Sequence, residues 1–278
     1  MAKPTTKKVV AKVPVKAATA VSTGSNVDVD MLLEQYAGAG VSTDAADNTI
    51  PFIYLLQSLS PVTLKQKPEY IKGAEAGMIW PRGERVVWDG EDEGINVVPC
   101  HFAKCWVEWL PNRGGFVARH NDKPKEAELK VNPNDKKDRR WVMPNGNSVS
   151  ESKEWAVLVL DKQDNPLPYV IAMSGSNLKA SNDWMALINR KMTKKGNPAG
   201  LFANIYNLKT VPRSNDKGDW YMWFAEDVRP LDDGDVHILQ EAIRIHKAFK
   251  GGDLKVAEAD YSGNLASEEE EDTDSSLV

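Results

Sequence analysis

The sequence predicts a mainly β fold, β-rich α+β, that carries one inserted helix and one C-terminal helix. Short β-rich segments separated by turn residues run from Gly77 to Val228. Two other stretches repeat their apolar residues with helical spacing. Both ends of the chain have a biased composition without a lasting period. With 41% hydrophobic residues and nine tryptophans in 278 residues, we expect one folded domain between two solvated ends.

The ends of the chain set the predicted domain boundaries. Residues 1–47 are rich in Ala, Thr, Val and Lys, and we interpret them as a disordered basic arm. The folded domain is predicted over 48–250, starting near NTIPFIYLLQSLSP, and a disordered acidic tail over 251–278. No apolar run approaches the roughly 20 residues of a membrane helix, and the basic start lacks a continuous apolar signal region. An intracellular protein is therefore expected.

The predicted strands are short and irregularly spaced. They are ERVVW, GINVVPCHFAKCWVEWL, GGFVARH, WVMP, EWAVLVL, LPYVIAM, LFANIYNLKTV and DWYMWFAEDV. Cys100 and Cys105 lie five residues apart in one of them, which places them on opposite faces and disfavours a disulfide. The polar, proline-containing stretch from His120 to Arg140 is predicted to be a long loop, and long loops are often functional.

Two segments depart from the β pattern. SGSNLKASNDWMALINRKM predicts an inserted amphipathic helix, because its apolar stripe repeats at three- and four-residue spacing through Leu178, Ser181, Met185, Ile188 and Met192. DDGDVHILQEAIRIHKAFKGG predicts the C-terminal helix, with acids at its start and glycines at its end. Its predicted buried stripe contains Val236, Leu239, Ile243 and His246.

Catalytic and metal-binding signatures are missing from the sequence. It has no phosphate-binding glycine loop, no HExxH and no GxSxG. Potential zinc ligands occur at Cys100, His101, Cys105 and His120, but their spacing matches no zinc finger or ribbon, and buried structural cysteine is commoner. Carboxylates such as Glu108 are expected on a solvated strand face. We therefore predict a protein that is not an enzyme and that uses no metal or cofactor.

Charge is segregated along the chain. The formal net charge is −5, yet residues 1–17 carry five lysines and no acid. Residues 179–217 carry eight basic residues and two acids, whereas residues 268–274 carry six acids and no base. Because the charges of these segments are opposite in sign and largely cancel, the negative net charge does not argue against a nucleic acid partner.

Aromatic and basic residues share the β-rich region, which is the combination that holds single-stranded nucleic acid. The candidate stacking residues are Trp106, Trp109, Phe116, Tyr221 and Trp223. The candidate phosphate-binding residues are Arg113, Lys136, Lys137, Arg139, Arg140, Lys179, Lys191, Lys194 and Lys195. Tyr221 and Trp223 qualify if Trp220 and Phe224 are buried, because alternate strand residues face opposite sides. The alternative, that these aromatics form the core, stays open.

Several stretches resemble a group of bacteriophage single-stranded DNA-binding proteins. They are IPFIYLLQSLSP, GINVVPCHFAKCWVEW with the following GGF, PYVIAMSGSNLKASNDW and NDKGDWYMWF, together with the acidic C-terminus. The resemblance covers roughly residues 48–230. It implies an elaborated OB-like barrel that binds single-stranded DNA without sequence preference during phage DNA replication or recombination, in the cytoplasm of the infected bacterial host.

The resemblance also implies a role for the acidic run. In such proteins the acidic end recruits a polymerase, helicase or nuclease. Here the partner-binding residues would be Glu268, Glu269, Glu270, Glu271, Asp272, Asp274, Leu277 and Val278. Two alternatives remain: a recombination protein that anneals complementary strands, and a virion structural or assembly protein. A homo-oligomer is left open, and no membrane partner is expected.

Overall fold

The computed structural model describes residues 49–256, apart from 112–114, 134–138 and 217. The predicted basic arm and residues 257–278 of the predicted acidic tail lie outside this part of the chain. Within it, the predicted fold class is confirmed: the structure is mainly β, with a large antiparallel sheet, an inserted helix and a C-terminal helix. No helix among these residues is long and apolar enough to cross a membrane.

The elements follow the order that the sequence predicts. The helices are α1 (Asn177–Asn189) and α2 (Val236–Gly251). The described strands are β1 (Thr49–Ile50), β2 (Ile53–Leu55), β3 (Ile79–Pro81), β4 (Ile95–Trp109), β5 (Phe116–His120), β6 (Glu128–Val131), β7 (Arg139–Val142), β8 (Ser148–Leu160), β9 (Pro166–Ser174), β10 (Asn204–Asn215), β11 (Gly218–Pro230) and β12 (Lys255–Val256).

The two longest neighbouring strands, β4 and β8, form a ribbon through the middle of the molecule. At one end of this ribbon, β10 and β11 extend the sheet beyond β4, and β9 pairs with β8. At the other end, β5 pairs with β4, while β7 and then β6 extend the sheet beyond β8. We call the end with β9, β10 and β11 the barrel end, and the end with β5, β6 and β7 the far lobe. The ribbon of β4 and β8 runs through both.

The segment that contains β2 connects the two outer strands of the barrel end. Phe52 bridges to Val170 of β9, where the Val170 amide donates to the Pro51 carbonyl over 2.9 Å. Five residues along, the side chain of Gln57 bonds both backbone groups of Tyr221 on β11, each over 2.9 Å. This segment therefore links the outer strands β9 and β11, and the OB type of the barrel stays a prediction of the resemblance.

The inside of the barrel is aromatic and is covered by α1. Trp155 of β8 is fully buried and stacks on Trp184 of α1, with ring centroids 4.2 Å apart. Its indole nitrogen donates to the Ser181 hydroxyl over 2.8 Å, so the buried polar group has a partner. Alternate residues of β8, such as Val157 and Val159, continue the same cluster. Strand periodicity thus separates this core from the opposite face of the ribbon.

The opposite face of the ribbon packs against α2. Ile238, Ala242 and Ile245 are buried there against Leu158 of β8 and its neighbours. The imidazole of His246, on the edge of this interface, lies 3.0 Å from the Cys100 carbonyl oxygen through Nδ1. The two faces of β4 and β8 therefore carry separate clusters, each covered by one helix.

Two predicted irregular regions contain strands. The expected loop from 120 to 140 includes β6 and the start of β7, because ELKV alternates its aliphatic residues and pairs with β7 in register. After α2, Lys255–Val256 pair in parallel with Thr49–Ile50. Ordered pairing thus extends past the predicted domain boundary at residue 250.

Candidate nucleic-acid interface

The far lobe presents a row of cations and tryptophans on the face of β4, β7 and β8 that continues the inner face of the barrel. Trp106 and Trp141 contact each other edge to face, with ring centroids 6.3 Å apart. The ammonium of Lys104 lies 5.6 Å from the Trp106 ring centroid, and that of Lys123 lies 3.3 Å from the Trp141 centroid. We call Lys104, Trp106, Trp141 and Lys123 the tryptophan row. Both indoles are partly exposed.

Lys153 connects the tryptophan row to α1. It is directly opposite Lys104 in the β4–β8 ladder, so both side chains lie on one face. Its ammonium bonds the Asn182 side chain on the exposed side of α1. Glu151 is on this face too and pairs with Lys104 over 3.1 Å. The surface is therefore basic, but the Glu151 carboxylate partly neutralises Lys104.

A groove of about 490 Å³ lies between α1 and β11. Leu187, Met222 and Phe224 contribute apolar lining, and the Phe224 ring is 45% exposed. Its basic lining residues are Lys179, Arg190 and Arg213, and Asp183 pairs with Lys179 over 2.5 Å. We call this the α1–β11 groove. An exposed ring in a groove that guanidinium groups also line has the chemistry to hold a base and its phosphates.

The predicted cations beyond α1 differ in their surroundings. Lys191 pairs with Asp227 of β11, so its charge is locally neutralised. Lys194 and Lys195 are exposed in the turn that follows. In the far lobe, Arg139 and Arg140 are exposed on β7 next to Trp141. The structure therefore brings Arg139 to the face of β7 that carries Trp141, places Arg140 on the opposite face, and brings Lys179 to the groove.

The predicted exposure of Trp223 is wrong, because this side chain is 4% exposed and belongs to the barrel core. Tyr221 shares its inward face and is partly buried. Its hydroxyl donates to Glu91 over 3.0 Å, and its ring packs on Gly77, where a Cβ would come within 2.6 Å of the ring. Burial and the Glu91 carboxylate raise the pKa of Tyr221. The outward residues of β11 include Phe224 instead.

Trp109 and Phe116 lie on the face opposite the tryptophan row. Their rings contact each other edge to face at 6.2 Å and pack against the cluster under α2. The Trp109 indole donates to the Ser150 hydroxyl over 3.0 Å. Of the predicted β4–β5 aromatics, only Trp106 thus lies on the cation-bearing face. Arg113, Lys136, Lys137 and the eight partner-binding residues from Glu268 to Val278 lie outside the described residues.

The expected solvated position of Glu108 is also wrong, since the residue is 6% exposed. One carboxylate oxygen accepts from the Asn147 amide over 2.6 Å, and the other lies 2.9 Å from Nε2 of His120. Burial alone would raise the pKa of Glu108, but hydrogen bonds from Asn147, His120 and Asn145 outweigh it and lower that pKa. The group is a satisfied buried acid on the same face of β4 as Trp106.

Sequence reasoning missed Trp141, Lys104, Lys123 and Lys153. Trp141 directly follows the predicted pair Arg139 and Arg140, and this was the available signal. The lysines became interpretable only with the β4–β8 register, because Lys104 and Lys153 are 49 residues apart in the sequence and opposite each other in the sheet. Within the described chain, no group of three or more His, Cys, Asp or Glu residues is arranged to hold a metal ion.

Comparison with known proteins identifies the family. A family model described as Pam3 phage gp34-like protein matches residues 22–255 of the 278. Searches of curated proteins and of solved structures find no match. Because the matched range covers well over half of the sequence and nearly all of the described fold, the chain belongs to the Pam3 phage gp34-like protein family and is a phage protein.

Proposed function

We propose that this phage protein binds single-stranded DNA without sequence preference and without catalysis. The observation that carries the proposal is the tryptophan row, in which two partly exposed indoles lie between two lysines. Bases stack on aromatic rings at about 1–3 kcal/mol each, and every base offers a ring face. Such a surface holds a strand without reading its sequence.

The lysine contacts favour a path of the bound single-stranded DNA along the tryptophan row. Lys104 and Lys123 each hold their ammonium near an indole in the free protein. A stacked base brings its phosphate within reach of the neighbouring lysine, so one nucleotide engages both kinds of group. Lys153 continues this positive line toward α1. The α1–β11 groove, with Phe224, Arg190 and Arg213, offers a second contact for the same strand.

The biological role is part of the proposal. A phage protein that coats single strands would act in replication or recombination in the host cytoplasm. The acidic run from Glu268 to Asp274 would recruit a polymerase, helicase or nuclease through its negative charge and the following Leu277 and Val278. Annealing of complementary strands uses a similar surface and would appear as faster duplex formation in the same preparation.

The test is a titration of intrinsic tryptophan fluorescence with oligo(dT) at two salt concentrations. We expect quenching and an affinity that falls as salt rises, since phosphate binding releases counterions. Trp106→Ala and Trp141→Ala should each weaken binding about tenfold or more. The matched control is Trp109→Ala, which removes an indole of the same strand from the opposite face and should leave affinity unchanged.

Variants that remove single lysines test the path of the bound DNA. Lys104→Ala and Lys153→Ala should each lower the dependence of affinity on salt by about one phosphate contact. Lys247→Ala, an exposed residue of α2 on the other side of the ribbon, is the control. Absence of oligonucleotide binding at low salt would refute the proposal. That result, with the protein present in purified virions, would instead support the assembly role.

A further inference from the structure

The outer strands of the sheet are protected unequally. The edge of β9 pairs with the Pro51–Phe52 backbone. Along the edge of β11, the side chain of Gln57 bonds Tyr221, and the Asn177 side chain accepts from the Trp223 amide over 2.9 Å. Strand β6, by contrast, ends the sheet order, and β7 is its one partner among the described strands.

Strand β6 is exposed along its whole length and carries aliphatic side chains. All four of its residues, Glu128 to Val131, are exposed, and the Leu129 and Val131 side chains are each 44% exposed. Soluble proteins usually protect such an edge with unbalanced charge, proline or a covering segment. Here Lys130 is balanced by Glu128, so the strand has no net charge to repel a second copy of itself.

We infer that β6 pairs antiparallel with β6 of a second copy of this chain, centred on Leu129. In this register Leu129 lies opposite Leu129 of the second copy. Glu128 lies opposite Lys130 of the second copy, and the same pair occurs again across the two-fold axis. Directly opposite residues share a face in an antiparallel pair, so both charge pairs are in contact. The strand is therefore complementary to itself in charge and in hydrophobic character.

The other open strand of the far lobe lacks this complementarity. Strand β5 pairs with β4, and its sequence is FVARH. Self-pairing centred on Ala118 would place Val117 opposite Arg119 of the second copy and Phe116 opposite His120. In addition, the Arg119 guanidinium is already bonded to Glu154 within the chain. The charge pattern thus selects β6.

Self-pairing has a consequence for the surface that the proposed function uses. Leu129 is opposite Trp141 in the β6–β7 ladder and lies on the same face. A two-fold axis perpendicular to the sheet keeps that face on one side in both copies. The tryptophan rows of two copies then form part of one sheet surface, so the dimer offers a longer track for a strand than the monomer does.

The experiment measures the mass of the full chain by sedimentation velocity over a concentration series, without DNA. A ladder this short is smaller than a standard interface of roughly 1,600 Å², so we expect a reversible dimer. Lys130→Glu makes both charge pairs repulsive and should weaken the dimer about tenfold. The double variant Glu128→Lys/Lys130→Glu restores opposite charges and should restore the dimer.

Controls separate this inference from general surface effects and from DNA binding. Val117→Lys changes a side chain of β5 that is 40% exposed and should leave the dimer unchanged. Circular dichroism verifies that each variant is folded. A chain that stays monomeric up to about 100 μM, or a double variant that fails to recover, overturns the inference. Because no DNA is present, this outcome is independent of the proposed function.

Discussion

At the scale of single residues, the far lobe contains two buried carboxylates that are satisfied in different ways. Glu154, 3% exposed, accepts two bonds from the Arg119 guanidinium, at 2.8 and 2.7 Å, and a weaker bond from the Cys105 thiol. Glu108 instead contacts amide and imidazole groups. These acids hold β4, β5 and β8 together beside the tryptophan row.

For the pair of Arg119 and Glu154, we predict that loss of one partner destabilises the fold more than loss of both. Arg119→Met leaves the Glu154 carboxylate buried without its ionic partner, and we expect a loss of about 3–5 kcal/mol in unfolding free energy. The double variant Arg119→Met/Glu154→Met removes the charge as well and should recover most of that loss. Urea unfolding followed by circular dichroism measures both. Equal stability of the single and double variants would contradict the assignment.

The pair of Glu108 and Asn147 predicts a pH dependence. Because the folded-state pKa of Glu108 is lowered, its ionised form stabilises the fold above the unfolded-state pKa. That contribution is lost as pH falls through the folded-state value. We expect the melting temperature of the native chain to fall between about pH 6 and pH 3, and to fall less in Glu108→Gln. Parallel slopes for the two proteins would show that Glu108 does not contribute.

At the scale of elements, the Gln57 side chain makes the two hydrogen bonds to the edge of β11 that a neighbouring strand would otherwise make. Its amide is 6% exposed and bonds both the amide and the carbonyl of Tyr221. The position needs both a donor and an acceptor, and the Gln57 amide supplies the two at this distance from the Tyr221 backbone. Gln57 therefore covers this edge of the barrel together with Asn177, whose side chain accepts from the Trp223 amide.

Gln57→Glu tests these two hydrogen bonds with almost no change in shape. The variant keeps an acceptor for the Tyr221 amide but turns the donor into a second acceptor that faces the Tyr221 carbonyl. We expect a loss of about 1–3 kcal/mol and faster hydrogen exchange at the Tyr221 amide. Gln240→Glu, at an exposed position of α2, is the matched control. Unchanged exchange at Tyr221 would refute the role of Gln57.

Element type was predictable from the sequence, whereas the orientation of faces was not. In DWYMWF both alternating sets contain aromatics, so a period of two could not tell that Trp223 is buried and Phe224 exposed. In β4 a register shift between Pro99 and His101 brings Cys100 and Cys105 into one cluster, although their spacing predicts opposite faces. Pro99 is the sequence signal for this bulge, because a proline cannot donate to the ladder of a central strand.

Helix faces show the same limit. In α2 the predicted stripe began at Val236, which is 49% exposed, whereas the buried residues are Ile238, Ala242 and Ile245. Small Ala242 contributes little to an apolar pattern, yet it permits close packing on the ribbon. Likewise, the tryptophan row joins strands that are distant in sequence, and its members share a face only because of the β4–β8 and β7–β8 registers. Registers depend on tertiary packing.

At the scale of the whole molecule, the acidic run from Glu268 to Asp274 is opposite in sign to the proposed binding face. The formal net charge is −5, and the run from Glu268 to Asp274 supplies six carboxylates. The proposed face carries Lys104, Lys123 and Lys153. Under the proposed function, a concentrated negative run on the same chain would compete with phosphate for these cations, and salt would screen the competition over about 10 Å at 0.1 M.

Removal of residues 268–278 should therefore strengthen binding of single-stranded DNA at low salt. Loss of six carboxylates changes the formal net charge from −5 to +1, and we expect a severalfold gain in affinity for oligo(dT) that disappears as salt rises. A full-length variant with the acids replaced by Gln and Asn should show the same gain, which separates charge from chain length. If both variants bind like the native chain while losing their replication partner, the acidic run serves recruitment alone and does not compete with DNA.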